Sequence, residues 1–160
     1  MVNFMKVMID EKSLEFLRSM KNKELSKLLA GIYNFFDLKF TQKGFNINPI
    51  ISANCYHMEY KGVDYSFNFS PENNLYFRLI AKLKEHDSDL EKRIEQNRVN
   101  NKQLDETTYL ADQRISSNTK SVNVYCRIKT IPGNDREIND LCGQLWGYII
   151  KNVFKGIHEF

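Results

Sequence analysis

The sequence predicts a single α+β domain, a mainly antiparallel sheet with helices packed on one face, in the order α-β-β-β-α-β-β-α. Three observations carry that expectation. Apolar and polar residues alternate with period two through the middle of the chain and again near residue 125. Apolar residues recur at helical spacing at both ends, and short clusters of turn-forming residues separate the segments. A chain of 160 residues, 42% hydrophobic and 12% aromatic, is also the size at which one core forms.

The elements follow in order. Residues 10–38 read as helical: Asp10 can cap a helix bearing Leu14, Phe16 and Leu17, and Leu25, Leu28, Leu29, Ile32, Phe35 and Phe36 continue the apolar series. The polar stretch 19–23 can divide this region into two pieces. Gly44 and Pro49 mark an irregular entry into a meander over 50–84, whose strands span 52–60, 63–70 and 75–84. In the second strand Val63, Tyr65, Phe67 and Phe69 alternate with Asp64, Ser66, Asn68 and Ser70, the pattern of a sheet with one wet face. Lys61-Gly62 and the run from Ser70 to Asn74 are the turns.

Ser88-Asp89-Leu90-Glu91 has the form of a capping box and opens a helix over 88–100 with little to bury beyond Leu90 and Ile94. Strands then occupy 107–130. The first, 107–115, is weakly patterned; in the second, Val122, Val124, Cys126 and Ile128 alternate with Asn123, Tyr125, Arg127 and Lys129 until Pro132-Gly133. A last helix over 135–155 starts from an Asn134 cap with Glu137 three residues on and carries Ile138, Leu141, Leu145, Ile149 and Val153.

Composition excludes several classes. Lys and Arg exceed Asp and Glu by 23 to 20, a net charge of +3 that selects no partner by itself. No apolar run approaches the roughly 18 residues of a membrane span, and the N-terminus lacks the pattern of a secretory signal, so a cytoplasmic location with no membrane partner is expected. Cys55, Cys126 and Cys142 are odd in number and widely spaced, as buried free thiols are. The seven glycines form no phosphate-binding loop, and neither a cofactor nor a catalytic residue is expected.

Cys55, His57 and Glu59 stand two apart on one strand and so share a face, the weak beginning of a metal site that lacks a fourth ligand. The competing reading is a buried thiol beside edge polar residues. Cys126 or Cys142 paired with His86 or His158 would be a nucleophile and base, but no catalytic motif surrounds them. Asp87-Ser88-Asp89 suits a helix N-terminus better than a metal. Gly143 and Gly147, four apart on the last helix, imply close packing within the fold or a homodimer interface, since small residues let a second backbone approach.

The most informative pattern is the outward face of the strands. Tyr76, Arg78, Lys82 and Lys84 occupy it on one strand, Tyr125, Arg127 and Lys129 on another, and Arg114 on the weak one. Lys, Arg and Tyr also occur on the ordinary solvated face of an antiparallel sheet. Interleaved aromatics and cations can nonetheless stack bases and neutralise phosphates. The element order resembles that of bacterial secretion chaperones, which dimerise and hold an extended partner segment, though these tend to be acidic. The expectation that follows is a non-enzymatic binding module engaging nucleic acid or a nucleic-acid-associated protein through this face. The alternatives are a protein-binding chaperone, adaptor or inhibitor acting through a strand edge or helix face, possible as a homodimer, and a small Cys/His enzyme or metal-binding protein.

Overall fold

The computed structural model describes residues 23–47, 55–70, 76–100 and 108–158. Helix α1 (Lys23–Lys43) is followed by strands β1 (Asn46–Ile47), β2 (Cys55–Tyr60), β3 (Val63–Ser70) and β4 (Tyr76–Leu83). Then come α2 (Leu90–Asn100), β5 (Leu110–Ser117), β6 (Ser121–Ile128) and α3 (Asp135–Ile149). A π-helical turn (Ile150–Phe154) and the short α4 (Lys155–Ile157) follow. The strands form one sheet in the order β1-β2-β3-β4-β6-β5, every neighbouring pair antiparallel.

The α+β reading holds, with two adjustments at the first helix and sheet edge. The helix runs on to Lys43, past 38, and the two-residue β1 adds a strand ahead of the expected meander. The expected Asp10 cap and the interruption at 19–23 fall mostly on residues outside those described. So do the starts of the strands expected from 52, 75 and 107.

Alternation sorts the sheet into two unlike faces. Tyr65, Phe67, Phe69, Phe77, Leu79, Ala81, Val122, Val124 and Cys126 point to one side and are buried. Against them lie α1, through Leu28, Leu29, Ile32, Phe36 and Phe40, and α3, through Leu141, Leu145 and Ile149. The two helices run parallel, because successive contacts advance together along both. Lys27 bridges Asp135 at 3.2 Å, a Cβ on Gly31 would meet Ile138 Cγ2 at 2.9 Å, and Phe40 meets the Trp146 ring at 5.4 Å. Aromatic rings fill the layer between: Phe67 lies 5.0 Å from Phe36, 5.6 Å from Phe69 and 5.4 Å from Phe77. Such edge and tilted contacts each add about 0.5–1.5 kcal/mol beyond burial.

Local chemistry closes the elements. Lys61 and Gly62 both have positive φ (47° and 81°), the geometry of a tight hairpin turn, and Gly62 N–H donates to Glu59 Oε2 at 2.8 Å. Asn118 Oδ1 accepts from the N–H groups of Lys120 and Ser121 in the β5–β6 turn. At α2 the capping oxygen comes from Asp87, which accepts from Asp89 N–H and grips Arg93 at 2.6 Å, while Ser88 is exposed. Asn134 caps α3 by accepting from Glu137 N–H, as expected, and Glu137 reaches back to Gly133 N–H.

The expected helix over 135–155 is not uniformly α-helical. Its turn 150–154 is wider, and there the buried Asn152 amide donates to the Tyr148 carbonyl, the acceptor an α-helical N–H at 152 would have used.

Candidate functional site

The described helices pack on the buried face or beside it, so the other face of the sheet has no covering layer among the described residues. Backbone pairing lays its residues in cross-strand rows. One row runs Arg114 (β5), Tyr125 (β6), Arg78 (β4), Asn68 (β3) and reaches position 55 of β2. The next aligns Arg127 with Tyr76. Tyr76 and Tyr125, diagonal neighbours on β4 and β6, bring their ring centroids to 5.1 Å at a 32° tilt, and the Arg114 guanidinium lies over the Tyr125 ring at 5.4 Å. Arg114, Tyr125 and Tyr76 therefore form one continuous stack, with Arg78 and Arg127 beside it. Strand spacing puts the backbones of Arg114 and Arg78 about 10 Å apart.

A β-bulge makes this arrangement. Between Ala111 and Arg114 the register of β5 shifts against β6, so three steps along β5 match two along β6, from Arg127 to Tyr125. Without the extra residue Gln113 would face Tyr125; with it, Arg114 does. Re-aiming a side chain is a common use of such bulges. The displaced Gln113 has its Nε2 buried without a hydrogen-bond partner.

The other predicted cations join less closely. Lys82 is on the same face but stands opposite Asp64 on β3, which offsets its charge. Lys84 and Lys129 each lie one residue beyond a strand end, and because β4 and β6 are antiparallel they sit at opposite ends of the sheet. Residues the sequence reading passed over complete the surface: Ile80 aligns with Asn123 and Ser66, and Asn68 with Arg78. Period two already put these positions outward; what was missing was which strands adjoin. No family model matches the chain, and no curated protein or solved structure is significantly similar to it.

The alternative sites come out differently. His57 and Glu59 share the outward face, but His57 Nδ1 pairs with Ser66 Oγ at 3.3 Å and Glu59 is held by the Gly62 turn. The side chain of Cys55 is outside those described, and among the described residues no group of three His, Cys, Asp or Glu converges. Cys126 and Cys142 are buried and outside any disulfide, and burial pushes the Cys142 thiol up to about 12, away from the thiolate a nucleophile needs. His86 pairs with Thr119 and His158 with Tyr65. Among the described residues, a Cβ on Gly143 or Gly147 would meet nothing within 4 Å, so no close packing shows there. Nor is any described helix long and apolar enough to cross a membrane.

Proposed function

We propose that this protein is a non-enzymatic binding module that engages nucleic acid through the sheet face that the described helices leave uncovered. The Arg114–Tyr125–Tyr76 stack with Arg78 alongside carries the reading. Aromatic planes offer a sequence-tolerant platform for bases, and arginines at about 10 Å spacing can meet neighbouring phosphates. Mobility-shift titrations at about 50 mM salt, where phosphate contacts are strongest, test it with DNA and RNA in single-stranded and duplex form. Binding that falls when Arg78 and Arg114 are changed together to Ala is expected; no binding to any of the four sinks the proposal.

A second reading rests on the open positions at Gly143 and Gly147, which leave room for a partner backbone on the outer side of α3. On that reading the chain is a protein-binding adaptor or a homodimer. Light scattering after size exclusion, with the Gly143→Leu variant beside the parent chain, tests it: a parent that is monomeric at every concentration removes the homodimer.

A further inference from the structure

Resting on the nucleic-acid reading above, we infer that the ligand is a single strand, taken by stacking its bases on Tyr125 and Tyr76, and not a duplex. The argument is one of shape. Reading base edges in a duplex requires an element that enters a groove, and the major groove, about 12 Å wide, admits a helix or a two-stranded ribbon. Every described helix packs on the buried side of this sheet or beside it, and the face itself is six strands wide, about 24 Å at ordinary strand spacing.

The tyrosines lie well inside that width. Tyr125 is on the second strand from the β5 edge and Tyr76 on the third. A duplex laid on the sheet would meet them with its phosphates and leave its bases out of reach. An unpaired strand can turn its bases onto the sheet and its phosphates toward the arginines.

The stack also fixes the path. Arg114, Tyr125 and Arg78 are neighbours across β5, β6 and β4, so cation, ring and cation succeed one another across the strands. A single strand following that row crosses the sheet nearly at right angles to β6, with one base on Tyr125 and the next on the diagonal Tyr76. Arg114 now covers the Tyr125 ring. It must slide off as the base arrives, and its guanidinium is then released toward a phosphate. Beyond Arg78 the row continues to Asn68, while Ile80, Asn123 and Ser66 form the next, an apolar and amide-bearing floor for the base edges. The acidic Asp64 and Glu59 sit near the β2–β3 turn, away from the stack, which sets that end of the face against phosphate.

Fluorescence anisotropy with labelled 15-nucleotide oligo-dT, oligo-rU and a mixed-sequence 15-base-pair duplex tests the inference in one buffer. Expected is affinity for the single strands at least 10-fold above that for the duplex. Tyr76→Ala and Tyr125→Ala should each weaken single-strand binding by roughly 5- to 100-fold, while Tyr125→Phe, which keeps the ring, stays within about 3-fold. The single Trp146, on the buried side of the sheet, reports by its emission that each variant is folded. Duplex binding equal to or tighter than single-strand binding overturns the single-strand assignment and leaves the nucleic-acid reading standing. Single-strand binding unaffected by either Tyr→Ala change overturns the stacking path. Absence of binding to all three probes overturns both readings.

Discussion

His158 couples its protonation to folding. Its ring packs among Tyr60, Tyr65 and Phe154, and Nε2 pairs with the Tyr65 hydroxyl at 2.5 Å. A neutral ring with its proton on Nδ1 lets Nε2 accept from the phenol. Burial, with the nearby Lys61 ammonium adding to it, lowers the His158 pKa from its ordinary 6.5 to about 4, and burial raises that of Tyr65 well above its usual value. Below pH 6.5 the unfolded chain binds a proton there that the folded chain refuses. Stability should therefore be full above pH 6.5 and fall as the pH drops toward 4. We expect a loss on the order of 1–2 kcal/mol. Urea unfolding at pH 7 and pH 4.5 measures it, and a His158→Phe variant should lose most of that pH dependence. An equal pH dependence in the variant would shift the effect to the carboxylates.

At the level of elements, two glycines on neighbouring helices make opposite predictions. Gly31 lies where α1 approaches α3, its added Cβ 2.9 Å from a branching methyl of the buried Ile138, so Gly31→Ala should destabilise by about 1 kcal/mol despite its gain in helix propensity. Gly143 faces open space on α3, and Gly143→Ala should stabilise by about 0.5–1 kcal/mol. Thermal unfolding of both variants settles the pair; a destabilised Gly143→Ala would mean that something occupies that side of α3. The sequence made the Asn134 cap and the Lys61-Gly62 turn readable, because both act within a few residues of themselves, whereas at α2 it pointed to Ser88 and Asp87 supplies the oxygen. It could not distinguish Gly31 from Gly143, since what separates them is Ile138, more than a hundred positions from one and five from the other. The bulge in β5 was hidden for the same reason: its signature is a mismatch with β6, and the residues 111–114 alternate too weakly to betray it.

For the molecule as a whole, the small net charge of +3 means that binding must draw on local contacts and not on a global field. If Arg78, Arg114 and Arg127 meet three phosphates, the logarithm of the affinity for a single strand should fall with the logarithm of salt at a slope of about −2, and Arg78→Ala should reduce that slope by about 0.7. Titrations between 50 and 300 mM salt check it; a slope near zero would exclude phosphate contacts. The overall class and the two-faced sheet were legible because burial follows period two. Strand order was not, since β6 returns past β5 to pair with β4 over separations of about 40 to 50 residues, and no local signal encodes that choice. The stack exists only because of this pairing, which brings Tyr76 and Tyr125 together.

The alternation within β4 has an evolutionary reading. From Tyr76 to Leu83, one set of positions holds the molecule together and the set between them meets the outside, as two messages written in alternate letters. Substitutions can rewrite the outer message while leaving the inner one intact, so specificity is free to drift across descendants of this chain. An insertion or deletion of a single letter garbles both at once. In a library of variants, losses at 76, 78, 125 and 127 should thus track ligand, losses at 77, 79, 124 and 126 should track abundance, and insertions or deletions of one residue within these strands should be missing from the survivors altogether.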